Sequence, residues 1–137
     1  MTTYAIKAKI RNPAPWTFVL RRQKTMYGGK RIAVGDTVYL FASENEGGVG
    51  LVAKGVVTTA RAVPKNPELE RQTPRVDVTI RRTALAKRAL GRDQLKVFKN
   101  WSDGRPETEL NFKFYRQATN KIVGITETTA TFLELYF

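Results

Sequence analysis

Two kinds of pattern predict strands along this chain. Apolar and polar residues alternate at Tyr4–Arg11 and Arg75–Arg81, as they do when successive side chains of a strand point to opposite faces. Thr37–Ser43 is rich in β-branched and aromatic residues, and Val49–Thr59 follows it after a short polar connection, so the two segments predict a hairpin. Leu110–Tyr115, with an apolar residue at every second position, predicts a fifth strand.

Short helices are predicted between and after these strands. The spacing of apolar residues predicts a helix at Trp16–Gln23, and composition predicts another at Thr83–Leu90. A further helical turn is predicted at Asp93–Phe98, and a final helix at Ile125–Phe137 with Thr126 as its N-cap. About five strands with two or three short helices indicate an α+β protein that is built on a small mixed β-barrel.

Length and hydropathy place the chain among small globular proteins. Its 137 residues fit one domain, 1–137, and its hydrophobic fraction of 42% is ordinary for a folded protein. No apolar run approaches the roughly 20 residues that cross a bilayer, and the first residues do not resemble a signal peptide. We therefore expect a soluble, cytoplasmic protein with no membrane partner.

The chain contains neither cysteine nor histidine, and this absence narrows its chemistry. Disulfides are excluded, and the usual nitrogen and sulfur ligands of zinc are missing. Catalysis by a serine–histidine or cysteine–histidine pair is excluded as well. We expect no cofactor and no metal centre.

Positive charge is the strongest feature of the composition. Lys and Arg number 24 against 12 Asp and Glu, which gives a formal charge of +12. Such an excess favours a polyanion as the partner, because phosphate contacts release counterions. We expect RNA, DNA with a modified base, or a nucleotide-like ligand.

Several segments occur in an order that is similar to that of a known superfamily. They are Val19–Thr25 (VLRRQKT), Val34–Ser43 (VGDTVYLFAS) and Gly50–Val57 (GLVAKGVV). With their Lys-Thr loop, Gly-Asp turn and returning strand, they resemble the ASCH and EVE branches of the PUA-like superfamily. Lys121–Thr126, followed by a helix, is similar to the way EVE domains close. The resemblance implies a PUA-like β-pseudobarrel, with a pocket beside it for RNA, modified bases or nucleotide-like molecules.

One glycine-containing loop carries the first group of candidate ligand-binding residues. Its candidate residues are three cations, a threonine and a tyrosine: Lys24, Thr25, Tyr27, Lys30 and Arg31. Backbone amides freed by the two glycines, beside these cations, suit a phosphate or an anionic base edge, and the tyrosine can stack on a base. The same residues also fit an exposed basic loop without a ligand. In EVE domains this place holds a tryptophan-containing segment, which the present chain lacks.

Three further residues are candidates for the ligand pocket. Trp16 and Trp101 sit beside predicted loops, so each is interpreted either as a stacking wall for a base or as cover for the core. Ser43 ends a strand that faces the Lys24–Thr25 loop in the resembling fold. Its hydroxyl either binds a base edge or caps the next turn.

The densest basic region spans residues 71–92. A strand followed by a helix would align several of its cations to track a nucleic-acid backbone, while a solvated charged face is the alternative. The predicted nucleic-acid contacts are Arg31, Arg75, Arg81, Arg82, Arg88 and Arg92.

Two functions from different classes fit the sequence. The first is a binding module for RNA or DNA that accepts a modified or unstacked base in a pocket beside the barrel. The second is an ASCH-like amidohydrolase acting on an acylated nucleobase or nucleoside. It would use Lys24, Thr25 and a carboxylate from Glu44 or Glu46. The adjacency of Lys24 and Thr25 disfavours the second function, and no catalytic residue is assigned.

Overall fold

Six strands close into a barrel in the computed structural model, which describes residues 2–115 and 120–137. The strands are β1 (Thr3–Ala8), β2 (Thr17–Met26), β3 (Thr37–Ala42), β4 (Gly50–Ala62), β5 (Arg75–Leu85) and β6 (Lys121–Ile125). Their order around the barrel is β1–β3–β4–β5–β2–β6. Most neighbours are antiparallel, whereas β1 with β3 and β2 with β6 are parallel pairs.

Every second residue of the strands fills the barrel interior. Tyr4, Ile6 and Ala8 of β1 pack beside Val38 and Leu40 of β3, and all five are buried. This is the alternation that the sequence predicted for the first strand. The predicted hairpin is confirmed as well, with β3 and β4 paired antiparallel around a short helical turn at Glu44–Glu46.

A layer of short helices covers the outer face of β1, β3 and β6. It comprises α1 (Arg92–Leu95), α2 (Pro106–Leu110), which continues into a π-helical turn at Asn111–Tyr115, and α3 (Glu127–Glu134). Phe41 of β3 packs against Phe114 in this second core, with ring centroids 4.9 Å apart. Among the described residues, no helix is long and apolar enough to cross a membrane.

The N-terminal cap of α3 follows the sequence prediction. The Thr126 hydroxyl accepts a hydrogen bond from the Thr129 N–H at 3.3 Å, and it donates to Glu109 Oε1 at 2.7 Å. Burial alone would raise the pKa of Glu109. Hydrogen bonds from Lys113, Thr129 and Thr126 outweigh burial and lower this pKa below its usual value. Glu109 therefore ties the start of α3 to the end of α2.

The helix predicted at Trp16–Gln23 is wrong, because the segment belongs to β2. Phe18 and Leu20 point into the barrel, while Trp16 and Val19 are exposed. The strand pairs with β5 along one edge and with β6 along the other. Tertiary pairing thus overrides a local helical spacing, and β-branched residues in the segment suit the strand.

Two other element predictions are also wrong. Thr83–Leu85 continues β5, where a helix was predicted, because Ala84 and Leu85 pair with β4. Leu110–Tyr115 is helical, where a strand was predicted. Leu110 and Phe114 are both buried and lie four residues apart, which is a helical spacing as well as an alternating one. The predicted class, an α+β protein on a small barrel, is confirmed.

Two glycines let the turn after β2 lie directly on β6. A Cβ added to Gly29 would lie 2.2 Å from the Ile122 carbonyl oxygen, and one added to Gly124 would lie 2.4 Å from the Tyr27 carbonyl oxygen. Both distances are far below van der Waals contact, so only glycine fits at either position. Gly28 differs, because it adopts a φ of 83° with open space around it.

This difference yields a test of how the turn is anchored. We expect Gly29→Ala to lower the free energy of unfolding by about 3 kcal/mol, because the new methyl group must displace backbone. Gly28→Ala meets only the left-handed backbone penalty of about 1 kcal/mol. Urea denaturation of both variants compares the two effects. Equal losses would show that Gly29 does not hold the turn against β6.

Candidate nucleic-acid interface

A small cavity lies at the end of β2, where the chain turns back. Tyr27 and Gly28 both have positive φ, 51° and 83°, and they lead into a short helical turn at Gly29–Arg31. The cavity, about 240 Å³ in volume, is called the loop pocket below. Its walls are Thr25, Met26, Tyr27, Gly28, Gly29, Lys30 and Pro74. Three predicted ligand-binding residues, Thr25, Tyr27 and Lys30, are therefore brought together here.

Lys24 and Thr25 point to opposite sides of the barrel wall, as neighbours on a strand must. Thr25 is buried, and its hydroxyl donates to the Pro74 carbonyl at 2.7 Å. The Thr25 N–H donates to the same carbonyl at 3.1 Å. Thr25 thus fixes one wall of the loop pocket, while Lys24 lies on the outer face.

Three lysines from adjacent strands form a row on that outer face. Lys24 of β2 is paired with Lys121 of β6, and Lys121 is paired with Lys7 of β1. Lys7 and Lys121 are each only 1% exposed. Directly opposed residues share one face of a sheet, so their side chains lie close together. We call Lys7, Lys24 and Lys121 the lysine row.

Aromatic and sulfur atoms surround the two buried ammonium groups. The Lys7 ammonium donates to the Phe114 carbonyl at 3.3 Å and lies 4.1 Å from the Tyr115 ring centre. Lys121 Nζ lies 3.8 Å from the sulfur of Met26, a wall residue of the loop pocket. The buried ammonium of Lys121 therefore lies directly behind a wall residue of the loop pocket.

The surroundings of the lysine row disfavour the charged form of Lys7 and Lys121. Burial, followed by repulsion from the ammonium groups of Lys7 and Lys24, lowers the pKa of Lys121 from 10.5 to about 8. Burial followed by the Arg92 guanidinium lowers the pKa of Lys7, while Glu44 acts in the opposite direction. An anion beside the row would relieve this repulsion. The lysine row therefore places positive charge next to the loop pocket.

Sequence reasoning missed Lys7 and Lys121. In an alternating strand, a lysine between apolar residues normally faces solvent, so the pattern at Tyr4–Arg11 offered no reason to single out Lys7. The helical layer buries the outer face of β1, and this burial depends on distant parts of the chain. No local signal marks either lysine.

A larger basic groove adjoins the loop pocket. It has a volume of about 950 Å³, and Lys30 and Pro74 belong to both cavities. Six cations line it: Arg22, Lys24, Lys30, Lys65, Arg71 and Arg75. No Asp or Glu is found among the described residues of its lining. We call this cavity the basic groove.

Arg22 is held in place at the edge of the basic groove by a bulge in β2. The pairing of β2 with β5 shifts between Leu20 and Gln23, and Arg22 adopts a left-handed φ of 53°. Its N–H donates to Asp77 Oδ1 at 2.6 Å, and its carbonyl accepts from Arg75 at 2.8 Å. A non-glycine residue in this conformation carries strain that the surrounding bonds must offset. The bulge therefore positions Arg22 and Arg75 at the basic groove.

The predicted arginine contacts do not share one surface. Arg75 lines the basic groove, but Arg81 and Arg82 lie at the other end of β5, because the segment continues as a strand. Arg82 is buried, where it donates to the Pro15 and Ala14 carbonyls and lies under the Trp16 ring. These bonds give Arg82 a structural role.

The remaining predicted cations lie elsewhere. Arg88 stacks on Tyr136, and the Arg92 side chain donates to Asn45 at 3.1 Å. Arg31 is exposed in the turn that follows the loop pocket. The helix that was predicted to align these cations with β5 is absent, because Thr83–Leu85 continues that strand. The nucleic-acid contacts themselves stay predictions.

Three predicted ligand-binding residues lie away from the loop pocket. Trp16 is exposed beside Arg82. Ser43 is fully buried at the end of β3, and its Oγ has no hydrogen-bond partner among the described residues. Trp101 packs on Phe112 and lines a separate cavity of about 430 Å³.

The combination of Lys24, Thr25 and a glutamate is not assembled as a catalytic group. The Thr25 hydroxyl is engaged with Pro74 inside the barrel wall. Glu44 accepts a hydrogen bond from the Arg92 N–H at 2.9 Å, and Glu46 lies 3.9 Å from Lys9. Within the described ranges, no group of three or more Asp, Glu, His or Cys side chains forms a metal site.

Solved structures share this architecture at low sequence identity. Human THYN1 in complex with 5-methylcytosine-containing DNA matches with a TM-score of 0.66 at 15% identity, over 99% of this chain and 98% of the other. A hypothetical protein from Leishmania major matches at 0.64 and 13% identity, over 98% and 93%. A mutant of ZmASCH from Zymomonas mobilis matches at 0.55 and 11% identity, over 98% of both chains. These likenesses confirm the PUA-like fold that the ASCH and EVE resemblance predicted. No protein-family model and no curated protein sequence matches the chain.

The buried charge of Lys121 makes a testable contribution to stability. We expect Lys121→Met to raise the free energy of unfolding near neutral pH by about 1–3 kcal/mol, because it removes a buried ammonium at little cost in volume. The folded-state pKa of Lys121, about 8, lies below its usual 10.5. The unfolded chain therefore binds more protons between these values, and wild-type stability rises with pH there.

Urea denaturation at about pH 7 and about pH 9.5 compares the free energy of unfolding of the wild type with that of the Lys121→Met variant. The wild type should gain more stability over this interval than the Lys121→Met variant, so that the difference between them shrinks. An equal pH dependence in both would contradict the assignment of the titration to Lys121.

Proposed function

We propose that this domain binds RNA or DNA and takes an unstacked, modified base into the loop pocket. The observation that carries the proposal is the junction of the two cavities. The loop pocket opens beside the basic groove, and Lys30 and Pro74 belong to both. A nucleotide whose phosphates lie in the groove would therefore have its base at the pocket.

The chemistry of the two cavities suits the two parts of a nucleotide. Six groove cations without a lining carboxylate match the sugar–phosphate backbone, which proteins bind through charge and counterion release. Tyr27 offers an aromatic wall, and base stacking tolerates any base. The lysine row behind Met26 adds positive potential toward the electron-rich edge of a base.

The shared fold adds support for a modified base as the ligand. Human THYN1, which has the same architecture over nearly its whole length, has been crystallised with DNA that contains 5-methylcytosine. We extend base recognition to this chain on the combined basis of that likeness and the loop pocket. In the amidohydrolase alternative Thr25 would be the nucleophile, but its hydroxyl is engaged in a hydrogen bond to the Pro74 carbonyl.

Base recognition at Tyr27 can be measured with two labelled oligonucleotides. One carries a single 5-methylcytosine, and the other carries an abasic site at the same position. We expect the wild type to bind the first more tightly by about 5- to 160-fold, the range expected for one stacked base. Tyr27→Ala should lose this preference while still binding both strands through the basic groove. Fluorescence anisotropy reports each dissociation constant.

The matched control for this experiment is Tyr136→Ala, which removes a tyrosine from the helical side of the molecule. It should retain the preference for the strand that carries the base. Equal wild-type affinity for the modified and the abasic strand would contradict base capture in the loop pocket.

A further inference from the structure

Three aromatic side chains form a continuous chain from the loop pocket across the helical layer. The Tyr27 ring centre lies 6.2 Å from that of Phe112, and the Phe112 centre lies 5.4 Å from that of Trp101. Tyr27 is 40% exposed and Trp101 is 44% exposed, although both also contact protein. We call these residues the aromatic chain.

The aromatic chain continues the path that begins in the basic groove. Tyr27 is a wall of the loop pocket, while Phe112 and Trp101 line the cavity of about 430 Å³. Arg105, Lys113 and Glu109 also line that cavity. Because Lys113 is ion-paired with Glu109, the net positive charge of this lining comes from Arg105. Cations therefore come first along this path, and stacking surfaces beside Arg105 follow them.

Internal contacts hold the middle of this path in place. Lys113 Nζ donates to Glu109 Oε2 at 2.8 Å and to the Gly124 carbonyl, and it lies 4.8 Å from the Tyr27 ring centre. One side chain thus links β6, the helical layer and the tyrosine. A stacking platform fixed in this way loses little side-chain entropy when a base binds.

We propose that the partner is a single strand, whose backbone follows the basic groove and whose bases stack on the aromatic chain. The inference rests on the proposed function, since it specifies the form of nucleic acid that the same interface takes. A charged groove combined with exposed aromatic rings suits single strands, because their base faces are accessible. In a duplex these faces are stacked on neighbouring base pairs, so a duplex would offer no accessible base face to the aromatic chain.

Trp16 provides a matched control for Trp101. It is an exposed tryptophan that precedes β2, whereas Tyr27 follows the other end of that strand. Nine steps along a strand span about 30 Å, so Trp16 lies far from the loop pocket. Trp16 and Trp101 are the two tryptophans of the chain.

The first experiment compares an unmodified single strand of about 12 nucleotides with the duplex of the same sequence. Fluorescence anisotropy at low salt should show tighter binding of the single strand. We expect Trp101→Ala to weaken single-strand binding by about 5- to 160-fold, as the loss of one stacked base does. Trp16→Ala should leave that affinity within about 2-fold of the wild-type value. Thermal melting establishes that each variant is folded.

A second measurement needs no truncation of Trp101. In the Trp16→Phe variant, the remaining tryptophan emission comes from Trp101. Addition of the single strand should quench this emission with the dissociation constant that anisotropy gives. An unchanged emission at saturation would overturn the stacking of bases on Trp101.

A charge-matched pair of triple variants tests the basic groove. Replacement of Arg22, Lys65 and Arg71 by Gln should reduce the slope of log affinity against log salt by about 2, because each single-strand phosphate contact contributes about 0.7. The control replaces Lys87, Lys96 and Lys99 by Gln and should leave the slope unchanged, because these three lysines are exposed and line neither the loop pocket nor the basic groove. Equal slopes in the two triple variants would overturn the groove as the backbone track.

The outcomes separate this inference from the proposed function. Duplex binding as tight as single-strand binding, or equal effects of Trp101→Ala and Trp16→Ala, would overturn the single-strand path and leave base capture at Tyr27 standing. If neither strand form binds at low salt, with or without a modified base, the proposed function itself fails.

Discussion

The short parallel pairing of β2 with β6 closes the barrel, and the candidate interface depends on it. This pairing spans only three residues of each strand, from Lys24 to Met26 on β2. It sets Lys24 beside Lys121 and brings Met26 over the buried ammonium of Lys121. The glycine contacts at Gly29 and Gly124 allow the turn that follows to lie flat against β6. Without this closure, the loop pocket would lack a rigid wall and the lysine row would be broken.

The same closure buries two lysine ammonium groups, which lowers the stability of the folded protein. Lys7 and Lys121 lie buried side by side, and burial and mutual repulsion both lower the pKa of Lys121. A buried charge without a close opposite charge costs folding free energy. Under the proposed function, an anionic or electron-rich ligand at the loop pocket would lower this electrostatic cost when it binds. Stability and binding are therefore expected to oppose each other at Lys121.

Much of the barrel could be predicted from local patterns, and much of the interface could not. The hairpin of β3 and β4 and the cap at Thr126 follow from alternation and capping chemistry that act within a few residues. The segment Trp16–Gln23 fits a helix or a strand on spacing alone, and only its pairing with β5 decides between them. The turn after Met26 was recognisable from its glycines and cations, but Lys24–Met26, predicted as part of the same loop, belong to β2. Lys121 was not, because its burial comes from a register between distant strands.

The most direct test of ligand binding at the β2–β6 junction is an amide and indole NMR titration of the labelled protein with a single-stranded oligonucleotide that carries a 5-methylcytosine. Binding at this junction predicts chemical-shift changes at residues 25–30, which form most of the loop pocket, and at the indole N–H of Trp101. The indole N–H of Trp16, at the far end of β2, should not move. Shifts confined to Trp16 and the end of β5, with residues 25–30 unchanged, would contradict a binding site at this junction.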